Sequence, residues 1–198
     1  GTALVVPMSE EHPLQAQSPY AATKIAADKL AESFARSFGQ PVVVVRPFNT
    51  FGPRQSMRAV IPTIIVQALR SGKIKLGDLT PVRDLNFVAN TVDGFIACAL
   101  NAVPDGRVYN LASGVGHTIG ETAETIIRLL GKACPIVQEK SRFRPERSEV
   151  RALIGDSSRA RQDLKWKPRV SFEEGLRRTI EWVKGHSELF PSEEAYVT

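Results

Sequence analysis

Four consecutive valines at positions 42–45, directly after a helical pattern closed by Gly39 and Pro41, constrain the fold more than any other stretch. β-branched side chains favour extended backbone, and a continuous apolar run without polar alternation suits a strand buried on both faces, as in a parallel sheet. The preceding segment, Pro19 to Phe38, reads as a helix. Ala27, Leu30, Ala31, Phe34 and Phe38 recur at steps of one, three and four, while Asp28, Lys29, Glu32 and Arg36 occupy another face. Gly39 is the expected stop.

Strand and helix signals keep alternating downstream. The stretch 61–69 reads as a helix ended by Ser71-Gly72, 73–76 as a short strand and 77–81 as a turn. Residues 83–88 form a strand or a tight loop feeding a helix over 91–100, and 108–111 form another short strand before a turn at 113–116. Thr118 and Glu121 have the spacing of a capping box for a helix to Leu130, followed by a short strand at Ile136-Val137. Asp156 caps a helix over 157–164, and Ser171 with Glu174 sets a second capping box before a helix to about Lys184. Residues 1–17 read as a loop, and the tail after Ser187 as frayed or as a surface strap. This alternation indicates an α/β protein. No GxGxxG or GxxGxxG pattern occurs, so Gly114-Val-Gly116 is read as a turn and not as a dinucleotide loop.

Composition narrows the function classes. The 198 residues, 42% hydrophobic and 24% charged, suit one globular domain or slightly more. No apolar run approaches the ~20 residues needed to cross a bilayer, and the N-terminus lacks the basic and apolar regions of a signal peptide. A cytoplasmic protein without a membrane partner is expected. Cys98 and Cys134 lie far apart with no CxxC spacing and read as buried reduced thiols. The net charge of +5 is concentrated between Lys140 and Arg178, where twelve Lys/Arg face six Asp/Glu. Helix and turn signals interrupt that segment, so a pocket for a small phosphorylated ligand and solvated helix faces are expected, not nucleic acid. His12, His117 and His186 have no metal-ligand spacing.

The segment Ser18-Pro-Tyr20-Ala-Ala-Thr-Lys24 puts a phenol and an ammonium one turn apart on one helix face, within reach of a single ligand. A nearby ammonium favours the ionised form of a phenol, which could then exchange a proton with a sugar hydroxyl. Alone, this is also the spacing of two ordinary surface residues. Together with Arg46-Pro-Phe-Asn49-Thr-Phe-Gly-Pro-Arg54 and Arg83-Asp-Leu-Asn-Phe-Val88, it resembles the extended short-chain dehydrogenases that act on nucleotide sugars. The resemblance covers essentially the whole chain. Stretches 54–65 and 144–150 are most similar to the NAD-dependent 4,6-dehydratases of the UDP-N-acetylglucosamine type, with nucleotide-sugar 4-epimerases as the runner-up.

That resemblance implies the C-terminal part of a Rossmann-like parallel sheet, itself incomplete, with a small α/β substrate-binding domain. Residues 1–52 would belong to the dinucleotide-binding domain, and 53–198 mainly to the nucleotide-sugar region with elements returning to the sheet. NAD is the implied cofactor. Tyr20 is implied as the proton-transfer residue at the sugar 4-hydroxyl, and Lys24 as the lysine holding the cofactor ribose. Asn49 matches a position near the sugar diphosphate, or else caps a turn. Arg83 and Arg144 match phosphate-binding positions, a role suited to a planar guanidinium, or else lie solvated or salt-bridged on the surface. Glu149 could accept hydrogen bonds from the nucleotide ribose. Arg46 is read as an internal ion pair or a ligand contact, and Arg54 and Arg58 as loop arginines.

In that family the glycine-rich loop, the acid for the adenosine ribose and a Thr/Ser segment precede the tyrosine. The chain opens with Gly1-Thr-Ala-Leu, where that last segment would have ended. The expectation is therefore the C-terminal part of a longer enzyme, with negligible turnover and weak NAD affinity alone. A non-catalytic nucleotide-sugar-binding protein is the remaining alternative. The unpaired apolar edge at 42–45 and the apolar side of the Tyr20 helix, a dimer interface in related enzymes, lead to the expectation of at least a dimer.

Overall fold

The first helix begins at Pro19, as the apolar spacing predicts. The computed structural model describes residues 3–143 and 150–190, and in it the Ser18 hydroxyl accepts from the Ala21 amide at the head of α1 (Pro19–Phe38). Gly39, with φ 61, closes the helix: its amide and that of Gln40 donate back to Ala35 and Phe34. The chain then enters β1 (Val42–Pro47), which runs parallel to β5 (Asp105–Leu111) with Val44 beside Val108. Val43 and Val45 pack with Cys98, Tyr109, Leu111, Ala160, Leu164 and Trp166, so α3 (Val88–Asn101) and α5 (Ser158–Leu164) cover that face. The alternate residues face α1, which packs over β1 and β5.

One expectation about this strand is corrected. Of the four valines only Val44 is fully buried. Among the described residues β1 pairs along one edge only, with β5, and α1 above it contains no buried residue. Burial on both faces needs covered flanks, which β1 lacks here.

The larger core forms around β4 (Val82–Phe87). It pairs in parallel with β2 (Asn49–Phe51) and β8 (Ala152–Leu153), and antiparallel with β6 (Gly116–Thr118). Residues 116–118, read from the sequence partly as a turn, are thus a short strand. Helices α2 (Val60–Arg70), α4 (Ile119–Leu130) and α6 (Phe172–Gly185) place Ile61, Ile64, Ile126, Leu176 and Ile180 against Phe51, Leu85 and Phe87. A parallel pair, β3 (Ile74–Leu76) and β7 (Ile136–Gln138), completes the described sheets.

The capping chemistry is uneven. In α4 both bonds of the box form, at 2.9 and 2.8 Å between Thr118 and Glu121. In α6 only Ser171 caps, and the Glu174 carboxylate goes to Arg178 at 2.8 Å. The Glu174 carboxylate pairs with the Arg178 guanidinium one turn along and not with the Ser171 amide, so the second box is half a box. Asp156 accepts from the Ser158 amide at the start of α5, while Ser157 turns inward to the Ala112 backbone. After α6 the chain is tied down as far as Phe190, a buried ring set edge-on to Trp182. Arg70 holds this strap through the Ser187 and Phe190 carbonyls.

Helix α6 approaches β2 and β4 closely because Gly175 has no side chain. A Cβ there would lie 2.7 Å from the Phe87 ring and 2.8 Å from the Phe51 ring. Gly175→Ala gains helix propensity but overpacks two rings that have no free space. It is expected to lower stability by about 1–3 kcal/mol. A melting temperature equal to or above that of the unmodified chain would contradict this packing.

Candidate functional site

Two strands and a loop converge on one polar cavity. In the β2–β4 register Asn49 sits beside Leu85 and Phe51 beside Phe87. Side chains alternate across a strand, so Asn49, Leu85 and, two residues back, Arg83 share a face. That face walls a cavity of about 280 Å³, closed by loop 52–59, the start of α2, the stretch 75–78 and Arg142. Arg83 is held in place: its Nη1 donates to the Val150 carbonyl at 2.6 Å and to the Val82 carbonyl at 3.0 Å.

Positive charge dominates the walls. Arg58, Lys75, Arg83 and Arg142 line the cavity, with Asp78 the one carboxylate among the described lining residues. Glu139 bridges Lys75 and Arg142, at 2.9 Å to each. Hydrogen bonds from Lys75 and then Arg142 hold the Glu139 carboxyl below the usual range. The Thr80 amide and hydroxyl do the same for Asp78. Both acids are therefore ionised near neutrality, and the cations still outnumber them. Helix α2 begins at this wall with no side-chain cap, adding the positive end of its dipole. An anion such as a diphosphate suits this field.

A second cavity, of about 430 Å³, lies among Glu10, Arg46, Arg107 and Arg159. It is larger, but its charges are matched within the protein. Arg159 pairs with Glu11 at 2.6 Å, Arg36 with Glu32 at 2.7 Å and Arg46 with Asp28 at 2.6 Å. Among the described residues, and with Glu139 included, the smaller cavity has more cations than carboxylates, and it is the candidate site. No cluster of described His, Cys, Asp or Glu residues could hold a metal ion.

The residues singled out from the sequence divide into three groups. Asn49 and Arg83 come together at the cavity. Tyr20 and Lys24 share a face of α1, with Lys24 Nζ 5.6 Å from the centre of the Tyr20 ring. They do not line the cavity, and Tyr20 is 71% exposed. Arg144 and Glu149 lie outside the described residues. Arg46 forms the internal ion pair with Asp28 and also donates to the Glu10 carbonyl. Among the loop arginines, Arg58 reaches the cavity wall while Arg54 is exposed.

Sequence reasoning did not single out Lys75, Arg142, Gln55 or Asp84 as site residues. Lys75 and Arg142 meet through Glu139 after β3 pairs with β7, across some sixty residues of chain, and no local signal announces that. Asp84 lies next to Arg83 but on the opposite face, and is 0% exposed. Its Oδ1 accepts from the Ser113 amide at 2.8 Å and the Ser113 hydroxyl at 2.6 Å. Its Oδ2 accepts from the Gly114 amide at 2.8 Å and the Gly155 amide at 3.2 Å. An acid between Arg83 and Leu85 in a strand that ends on the apolar Phe87 was the available sign.

Residues 1–179 match the family described as GDP-mannose 4,6 dehydratase. The chain is similar to a dTDP-glucose 4,6-dehydratase of an Actinoplanes species, 32% identical over 90% of this chain and 55% of that protein. It is also similar to a UDP-glucose 4-epimerase of Mycolicibacterium smegmatis, 30% identical over 95% of this chain and 60% of that one. Among solved structures, a dTDP-glucose 4,6-dehydratase from Bacillus anthracis in complex with NAD superposes with a TM-score of 0.84. That pair is 29% identical, over 96% of this chain and 60% of the other. The chain thus spans little more than half the length of the curated relatives it matches.

Removing the Asp84 carboxylate would take away the acceptor shared by the Ser113, Gly114 and Gly155 amides, the last of them in a buried bond. Asp84→Ala is expected to cost about 3 kcal/mol or more in urea denaturation, and Asp84→Asn, which keeps one acceptor oxygen, distinctly less. Equal and small losses in both variants would contradict the role given to this carboxylate.

Proposed function

We propose, because this chain belongs to the GDP-mannose 4,6 dehydratase family of the extended short-chain dehydrogenases, that its cationic cavity binds the diphosphate of a nucleotide sugar. The observation that carries this reading is the shared face of Asn49 and Arg83 in a cavity where, among the described lining residues, cations outnumber carboxylates. The Arg83 guanidinium, oriented by the Val82 and Val150 carbonyls, would meet the diphosphate oxygens in the two-point geometry that suits it. The Asn49 amide supplies both a donor and an acceptor beside it. The relatives named for dTDP-glucose and UDP-glucose support this substrate class, and a UDP-sugar is the first to test.

The finer reading makes these residues the C-terminal part of a nucleotide-sugar 4,6-dehydratase. Residues 1–52 then belong to its dinucleotide-binding part and 53–198 mainly to its sugar-nucleotide part. Tyr20 and Lys24 fit the ribose end of NAD, since a phenol and an ammonium stand open on one helix face. When bound, NAD supplies a hydride acceptor for the sugar C4. Tyr20 would take the proton of the 4-hydroxyl, while Lys24 holds ribose hydroxyls and faces the phenol. Elimination of water also needs a base and an acid at C5 and C6, roles we assign to no described residue. A 4-epimerase is the second reading, favoured by the M. smegmatis relative. It needs only reversible oxidation at C4, for which Tyr20 and a hydroxyl partner suffice.

Calorimetry on the 198-residue polypeptide tests both levels. A UDP-sugar is expected to bind, with Arg83→Ala weakening it at least about tenfold, or roughly 1.4 kcal/mol. The same polypeptide is expected to bind NAD weakly and to show no turnover. Unchanged affinity in Arg83→Ala contradicts the cavity reading; tight NAD binding or turnover contradicts the partial-enzyme reading.

The same reading makes the protein at least a dimer. Leu30, Phe34 and Phe38 form an exposed stripe on α1, with Leu30 60% and Phe38 69% accessible, and apolar stripes of this kind mark interfaces. Light scattering is expected to give a dimer or larger, and Leu30→Glu with Phe34→Glu to shift it toward monomer. A monodisperse monomer before substitution would contradict this.

A further inference from the structure

Gln55 lies in the loop between β2 and α2 and lines the same cavity as Asn49 and Arg83. Its Nε2 donates to the Thr50 carbonyl at 2.9 Å. That bond fixes the amide, because the flipped arrangement would set oxygen against oxygen. The other end is the anomaly. Oε1 is shielded from solvent and meets no hydrogen-bond donor among the described residues. Buried acceptors in folded proteins are almost always satisfied, and one that is not calls for a donor from elsewhere.

The surrounding loop is held in a costly conformation. Arg54, next to Gln55, has φ 67, a left-handed geometry unfavourable for a residue with a side chain. Thr50, to which Gln55 is anchored, bonds through its hydroxyl to Thr91 at 3.0 Å, so the β2 end of the loop is fixed. At the other end the Thr63 hydroxyl of α2 donates to the Met57 carbonyl at 2.7 Å, so a shift of the loop would fall on the residues between, around Gln55.

We propose that Gln55 is a specificity-determining residue of this cavity: its Oε1 accepts a hydrogen bond from the bound nucleotide sugar when loop 52–59 adjusts around it. The donor class follows from chemistry. At neutral pH the bridging diphosphate presents acceptors only, so the donor is a ribose or sugar hydroxyl or a base N–H. Gln55 reads the part of the ligand that Arg83 cannot. This inference rests on the reading of the cavity as the nucleotide-sugar site.

The test titrates the unmodified chain, Gln55→Leu and Gln55→Met with UDP-glucose, UDP and inorganic pyrophosphate, with melting curves to verify folding. The expected result is that both variants weaken UDP-glucose about tenfold while pyrophosphate changes less than about twofold. A loss for UDP as well places the donor on the nucleoside; a loss for UDP-glucose alone places it on the sugar. Should the leucine variant fail to fold, the methionine variant gives the same reading. Unchanged affinity for all three ligands overturns the proposal, and so does an equal loss for pyrophosphate, which would mark a purely structural role. Failure of the unmodified chain to bind any of them overturns the cavity reading, and this inference with it.

Discussion

The candidate site depends on one buried carboxylate. Asp84 gathers donors from Ser113, Gly114 and Gly155, and so ties β4 to the turn after β5 and to the chain leading into α5. Ser113 and Gly114 lie outside the strands, and the buried Gly155 amide requires a partner. With Asp84 fixed on one face, strand alternation leaves Arg83 and Leu85 no choice but the other. The orientation of the phosphate-binding candidate is thus set by the residue beside it. Gly114, with φ 79, lets the turn present its amide, a backbone geometry that suits glycine.

A second polar hub joins the two hydrophobic clusters. Asn90, buried in the first turn of α3, donates to Asn86 and to the Val170 carbonyl, and accepts from the Arg169 and Val170 amides. Trp166 donates to the Asn90 carbonyl at 3.0 Å. The segment between α5 and α6 is thereby fastened to the sheet that carries Asn49 and Arg83. Burial is unequal on the two sides of this joint. Around β4 the isoleucines and phenylalanines are fully covered, whereas α1, which carries Tyr20 and Lys24, buries no residue completely.

Much of this was legible from local patterns. Helix α1 ends where Gly39 says it should, and the Thr118–Glu121 box starts α4, because both signals act within one turn. The short strands β2, β6 and β8 were not legible, since two or three residues acquire strand geometry only by pairing with β4. The site follows the same division. Asn49 and Arg83 stood out through resemblance, but their shared face comes from the parallel register of β2 on β4. Lys75 and Arg142 required the β3–β7 pairing and Glu139 between them. The dense basic segment was legible as charge and not as pairing: Arg142, Arg159, Arg161, Arg177 and Arg178 each reach a carboxylate.

The central claim is that β4, pinned through Asp84, presents Arg83 beside Asn49 to the diphosphate of a nucleotide sugar. A crystal structure of the protein with UDP tests it most directly. The account predicts diphosphate density within hydrogen-bonding distance of the Arg83 guanidinium and the Asn49 amide, with the Asp84 bonds to Ser113, Gly114 and Gly155 unchanged. Diphosphate bound in the cavity bordered by Arg46, Arg107 and Arg159, with Arg83 untouched, would contradict it.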